Sequence, residues 1–316
     1  MSVGWRALVV LALLSVASGF ADLRMRSYPA RAYSEFIPSV VAGTADAPER
    51  YRVLVPFTVE GFRAITRLGP ANAWHLTRLL LFFLGYLTFF VYLRTWFSGP
   101  LALLGTAIVA GTWPLTLTNS WAHPDHVAEL LLFTAGCLAI ARQRTTWLFV
   151  TMVVATFNRE TAIFLVPTYL AAGALTASRL AVGGLLAGIW VAIYAGLRAW
   201  RGFAGYDYLQ VTRNLDFLKL LPENYDPYYR AYAYFGLVLF GGLLAIAIRD
   251  GSPKPPFIAR ALWVVPLFGV VAFTISSIIE TRIFTPLYPL VMPAVMSALA
   301  SADTSMRPAI DAKYHE

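Results

Sequence analysis

A single cysteine, Cys137, stands in 316 residues, and it lies within an apolar run. That excludes a disulfide framework and a thiolate metal site. Charge is scarce as well: 13% of residues are Asp, Glu, Lys or Arg, about half the share of a soluble domain. The motifs of soluble enzymes are missing. The chain has no Walker phosphate loop, dinucleotide glycine fingerprint, HExxH zinc helix or nucleophile elbow. It also lacks a basic tail or nucleic-acid motif. The net charge of +8, mostly arginine, therefore speaks to membrane topology and anionic head groups, with no nucleic-acid partner.

What fills the space is apolar. Hydrophobic residues make up 58% of the chain, mean hydropathy is +0.63, and runs near the length of a bilayer core recur. These predict an all-α, polytopic integral membrane helix bundle, a single membrane domain over 1–316. Spans are expected at 5–21, 75–93, 100–118, 127–141, 180–200, 231–248, 261–279 and 283–300. The first reads as a retained signal anchor rather than a cleaved leader. A polar loop, 22–74, follows it and contains an interrupted apolar stretch, 53–68, that reads as an amphipathic interfacial helix. A second polar loop covers 201–230, and 301–316 is a polar cytoplasmic tail.

Between 147 and 175 the apolar run is interrupted by Asn158-Arg159-Glu160-Thr161. A charged pair in hydrocarbon costs several kcal/mol, so it must be hidden or placed at a rim. Reading the run as two short spans meeting at this tip, with a cytoplasmic N-terminus, makes about ten membrane segments. The short inward turns then carry Arg94, Arg142, Arg144, Arg179, Arg249, Lys254 and Arg260, with Asp250 as their one acid. This satisfies the positive-inside rule; a single long helix would split Arg142 and Arg144 from Arg179. Each half of the hairpin is short, so tilting or local thinning is expected. Every polar cluster then falls on one outer face.

Several residues on that face suit chemistry. Glu35, in the first loop, is a candidate general base or metal ligand, or else a solvated loop acid. Arg50 and Arg52 flank Tyr51 before the interfacial helix and suit a lipid phosphate, which guanidinium clamps bidentately. His123, Asp125 and His126 lie within one turn and are candidate ligands for a divalent cation; Glu129, inside the span, must face protein or water. Arg159-Glu160 and Glu280-x-Arg282 repeat the pattern of acid and arginine at the outer end of a span. Tyr206 and Tyr228, interleaved with acids, suit a sugar or an interfacial aromatic belt.

Taken in order, four of these elements resemble the GT-C superfamily of membrane glycosyltransferases, particularly small bacterial members. They are the acid-bearing first outer loop (Glu35), Tyr51-Arg52-Val53-Leu54-Val55-Pro56 entering an interfacial helix, the Asn158–Thr161 tip, and Glu280-x-Arg282 before a proline-containing last span. The resemblance implies a GT-C-like bundle in the bacterial inner (cytoplasmic) membrane. It also implies inverting sugar transfer from a polyprenyl-phosphate donor to a glycan, lipid or protein acceptor on the extracytoplasmic side. The family's catalytic carboxylate maps to Glu35, with Asp22 and Asp46 as rivals, and its second acid to Asp125. His123, Asp125 and His126 would hold Mg or Mn or orient the acceptor. Arg52, Arg159 and Arg282 would bind donor phosphate, with Arg50, Glu160, Glu280, Tyr206 and Tyr228 also binding substrate. Two other readings fit an outer face rich in arginine: a lipid-linked oligosaccharide polymerase or flippase of envelope assembly, and a transporter.

Overall fold

A computed structural model describes residues 3–24, 31–116, 125–205, 209–218, 227–249, 251, 254–278 and 280–302. The described residues form helices joined by turns and short connections, with no strand among them. Helix α1 is Trp5–Arg24. In the first polar loop a wide turn, Ala32–Phe36, runs into α2 (Ile37–Ala42), and α3 (Leu54–Thr66) follows a short turn at Glu49–Tyr51. Then come α4 (Pro70–Leu93), α5 (Gly99–Thr116), α6 (Asp125–Ala141) and α7 (Thr145–Asn158). A 3₁₀ turn, Glu160–Phe164, leads into α8 (Leu165–Ala171), followed by α9 (Ala177–Arg201), α10 (Val211–Leu218) and α11 (Pro227–Arg249). The chain closes with α12 (Pro256–Ala261), α13 (Val264–Ile275), a 3₁₀ turn at Thr281–Phe284 and α14 (Leu287–Ala302).

Among the described residues five stretches are long and apolar enough to cross a membrane: Trp5–Leu23, Pro70–Leu93, Gly99–Thr116, Ala177–Arg201 and Pro256–Ile275. Shorter apolar helices are Thr145–Asn158, Glu160–Ala171, Tyr234–Arg249 and Leu287–Ser301. The layering follows from which helices are apolar all round and which keep one lipid face. Helix α14 lies innermost, with Tyr288, Met292, Ala294 and Met296 fully buried. Gly105 of α5 lets Leu93 and Met296 close in where a Cβ would collide with both. Helices α4, α5 and α6 build the core through Phe82, Tyr86, Trp113, Leu130 and Phe133, with Trp113 edge-on to Phe82 and Tyr86. Helices α1 and α9 are peripheral and present Leu13, Val16, Leu180, Leu185 and Val191 outward. Polar cross-ties join the layers: Tyr86 Oη donates to Ser18 Oγ (2.7 Å), Tyr92 Oη to the Pro289 carbonyl (2.7 Å), and Thr281 Oγ1 to the Thr116 carbonyl (2.9 Å). Such bonds contribute roughly 0.6 kcal/mol each in a membrane interior.

The chain reverses at Asn158–Arg159, where Arg159 is fully extended (φ −164°, ψ 148°). Leu165 then packs at Gly136, and Tyr169 and Ala172 reach the level of Ala141 and Arg144. Thus α8 runs back antiparallel to α7, placing Arg144 and Arg179 together at one end of the bundle and Arg159-Glu160 at the other. Trp96 stacks on Phe257 at 5.5 Å, so the Arg94 turn and the start of α12 share that basic end.

Boundaries differ from expectation in several places, the spans placed at 75–93 and 231–248 beginning at Pro70 and Pro227. The apolar run placed at 261–279 starts earlier, because Pro256 at the first helical position is pre-organised for a helix start. It also stops earlier: Asn214 Nδ2 donates to the Phe273 and Ser276 carbonyls (2.6 and 2.7 Å), satisfying the end of α13 from outside. The span placed at 127–141 begins at Asp125, so Asp125 and His126 belong to a buried first helical turn and not to a free loop.

The first polar loop is fastened over the C-terminal end of α9. Tyr51 Oη donates to the Gly202 carbonyl and accepts from Ala204 N–H, both at 2.9 Å. Arg198 lies over the Tyr51 ring at 4.3 Å. Arg201 donates to the Val41 carbonyl at 3.1 Å. Gly43, at φ +76°, ends α2 in the left-handed region, where a side chain would be strained and would meet the Arg201 guanidinium.

Candidate functional site: a recessed ionic cluster

Charges that are far apart in sequence meet at the polar end. Arg52, presented by the short turn at Glu49–Tyr51, grips Glu160 with both arms of its guanidinium: Nη2 donates to Oε1 at 2.5 Å and Nε to Oε2 at 3.3 Å. Its Nη1 lies 3.4 Å from Asp125 Oδ2 and 4.0 Å from Glu49. Arg159, released sideways by the break after α7, donates from Nη1 to Glu129 at 2.8 Å and to His126 Nδ1 at 2.5 Å; its Nε lies 3.7 Å from Asp125 Oδ2. Glu129 also accepts from the Thr161 hydroxyl. Asn158 Nδ2 donates to the Asp125 carbonyl at 2.9 Å, tying the end of α7 to the start of α6. Trp190 of α9 donates to the Glu160 carbonyl at 3.0 Å.

Most of this cluster is sealed: Asp125 is 1% exposed, Glu129 3%, Arg159 6% and Arg52 7%. Glu160 is the opening, with 36% of its side chain exposed. Burial alone would lower the Arg52 guanidinium, but Glu160, Asp125 and Glu49 hold it charged, well above its ordinary value. Burial pushes the Glu49 carboxyl up despite the opposing Arg52. Asp125 Oδ2 has no hydrogen bond among the described residues, although Arg52, Arg159 and His126 all face it at 3.4–3.9 Å.

The cluster is sunk into the bundle. From the level where Gly85 faces Leu131, α4 continues about fifteen residues to Pro70, whereas α6 continues about six to Asp125. At 1.5 Å per residue, Asp125 is recessed by roughly 13 Å. The tip of α7, a helix of 14 residues, spans only about 21 Å and ends at the same depth, bonded to Asp125.

The second knot adjoins the first. Arg282, 3% exposed, donates to Glu280 at 2.7 Å. Arg282 lies near enough to bear on the Glu49 carboxyl, and Arg159 bears on Glu280. Burial would raise the Glu280 carboxyl, but Arg282 and then Arg159 hold it below its ordinary value.

Among the residues singled out from sequence, Arg52, Asp125, His126, Arg159 and Glu160 share direct contacts, with Glu280 and Arg282 alongside. Glu35 takes a different place: it pairs with Arg31 at 2.9 Å and is 58% exposed on the wide turn. Arg50 donates to the Ala45 carbonyl at 2.7 Å and braces its own loop. Asp22 is buried against Arg78. His123 and Tyr206 lie outside the described residues, as does the Tyr228 side chain in α11. Glu129 and Thr161 complete the cluster. Glu129 carried a sequence signal, a carboxylate inside an apolar helix; Thr161 carried none beyond its place in the tip.

Of the proposed donor set, Asp125 and His126 lie against arginines, and His123 is outside the described residues. His126 Nδ1 accepts from Arg159, and Asp125 faces two guanidinium groups, so a divalent ion would sit against two fixed cations. Among the described residues no group of three or more His, Cys, Asp or Glu is arranged to hold a metal. No protein-family model, curated protein or solved structure matches the chain.

Proposed function

We propose that the chain is a GT-C-like membrane glycosyltransferase of ten segments that moves a sugar from a polyprenyl-phosphate donor to a glycan, lipid or protein acceptor. The active face is the polar end, extracytoplasmic in a bacterial inner membrane, with the basic turns inside. One observation carries this reading. Arg52, Arg159 and Arg282, from three separate parts of the chain, converge at one end of a lipid-embedded bundle. A cluster roughly 13 Å below the start of α4 suits a phosphate whose prenyl tail stays in the bilayer. Arginine forks suit phosphate oxygens bidentately, and the half-open Glu160 carboxylate occupies such a fork.

In the transfer, an acceptor hydroxyl attacks the anomeric carbon as the bond from that carbon to the phosphate oxygen breaks. The lipid phosphate leaves with the electron pair, stabilised by the arginines. The hydroxyl proton passes to a carboxylate, either Glu35 at the exposed rim or Asp125 within the cluster. Purified protein in detergent, supplied with a polyprenyl-phosphate sugar pool, tests this. Transfer is expected, with loss of activity in Arg52→Gln. The assignment of the base rests on which of Glu35→Gln and Asp125→Asn loses turnover while still binding donor. A protein that neither transfers sugar nor binds the lipid phosphate would overturn the proposal.

The same recess favours one second reading, a flippase or transporter of lipid-linked glycans, because ionisable groups deep in a bundle mark translocation paths. Movement of labelled lipid across vesicles without sugar transfer would select it.

A further inference from the structure

At the basic end, away from the ionic cluster, a cavity of about 480 Å³ opens between the α6–α7 turn, α8, the start of α9 and α12. That volume is within the range of ligand pockets, about 300–1,000 Å³. Its lining has two chemistries. Among the described residues, Ile140, Leu148 and Phe257 form the apolar part of that wall, Arg144 and Arg179 supply positive charge, and no acidic side chain lines it. Arg179 is held in place: its Nε donates to the Tyr169 carbonyl at 2.9 Å and its guanidinium lies 4.4 Å over the Tyr169 ring. Arg144 is exposed. Trp147, 66% exposed, stands one turn beyond Arg144, as an indole anchoring at head-group level does.

We infer that this cavity is a binding site for one anionic phospholipid of the leaflet at the basic end. The phosphate lies between Arg144 and Arg179, and the glycerol and upper acyl chains lie along Leu148, Ile140 and Phe257. A soluble anion would gain nothing from that wall, and a zwitterionic lipid would bring its own cation to two arginines. Basic pockets between membrane helices recognise anionic head groups by this combination. The lipid would wedge the short α7–α8 hairpin against α12, bracing from below the element that carries Arg159 and Glu160 above. The inference stands whether or not the polar end transfers sugar.

The test is native mass spectrometry of the full chain released from micelles containing phosphatidylglycerol or phosphatidylcholine. Phosphatidylglycerol is expected to be retained over phosphatidylcholine. Arg144→Gln is expected to lower retention about fivefold, the effect of one basic group at a membrane surface. Arg142→Gln, on the same turn but outside the cavity lining, should change it clearly less than Arg144→Gln. Filling the cavity with Ala172→Trp should abolish retention, which covers the case of an Arg144 variant that does not fold. Equal retention of phosphatidylcholine overturns the inference, as does an Arg142→Gln effect matching Arg144→Gln. Displacement by soluble glycerol phosphate also overturns it, because the site would then take the free anion.

Discussion

Arg159→Met tests whether the ionic cluster is one energetic unit. Arg159 is 6% exposed and faces Glu129 at 2.8 Å, His126 at 2.5 Å and Asp125 at 3.7 Å. Removing a single partner from a buried ion pair costs about 3–5 kcal/mol, chiefly because the remaining charge is left without compensation. Here Glu129 keeps the Thr161 hydroxyl and Asp125 keeps Arg52, so the lower end, about 3 kcal/mol, is expected. That is on the order of a hundredfold in the folding constant. Glu129→Gln removes the stranded charge, so the double variant should recover at least about 1 kcal/mol relative to the sum of the single effects. Reversible unfolding in mixed micelles, followed by tryptophan fluorescence, measures all four species. A cost for Arg159→Met below about 1 kcal/mol, or effects that add within about 0.5 kcal/mol, would refute the coupling.

Glu160→Gln removes the carboxylate competing for the Arg52 fork, so lipid-phosphate binding by the purified protein should tighten; weaker binding would mean that Glu160 chiefly orients Arg52. Glu280 lies below its ordinary value of 4.5 because Arg282 and Arg159 outweigh burial, so its ionised form stabilises the fold above that pH and the contribution is lost as pH falls through the depressed value. The stability gap between wild type and Glu280→Gln should therefore close in acid, and a gap that stays flat refutes the assignment. Gly236 sits where a Cβ would overlap the Thr281 side chain, so Gly236→Ala should destabilise the protein by about 1–3 kcal/mol and weaken lipid-phosphate binding through Arg282; unchanged unfolding would exclude that contact. Ser34→Cys and Gln143→Cys should label with impermeant maleimide from opposite sides of vesicles, without background from buried Cys137, and labelling from one side would overturn the two-ended arrangement.

The helical class and the reversal at Asn158–Arg159 were legible because both follow from the local cost of charge and polarity in hydrocarbon. The inward position of Arg52, and not Arg50, was not legible. The two residues flank Tyr51 alike, and the choice depends on how one short turn docks Tyr51 onto Gly202, just past α9, a contact spanning 151 positions. The end of α13 was misplaced for a similar reason, since Asn214 caps it from another helix. Asp125 and His126 read as a turn because Pro124 precedes them, yet the helix already begins at Asp125. Glu35 could not be separated from the cluster by sequence, because exposure is a tertiary property and its i,i+4 partner Arg31 looks like any loop arginine.

The charge balance constrains how such a site would bind an anion. Arg52 and Arg159 face Glu49, Asp125, Glu129 and Glu160, so the carboxyl groups outnumber the guanidiniums before any ligand arrives. A phosphate can enter only if a carboxylate withdraws or takes up a proton, since further negative charge at low dielectric is costly. Asp125 and Glu129 are sealed, Asp125 facing Arg52 and Arg159 and Glu129 accepting from Arg159 and Thr161. Glu160 can withdraw, being partly exposed at the mouth of the recess. Glu49 can take up a proton, because burial already pushes its carboxyl up. Under the proposed function, donor binding would therefore swing Glu160 aside, protonate Glu49, or both. The carboxylates that neutralise the arginines in the free protein would then act as their exchangeable counterions.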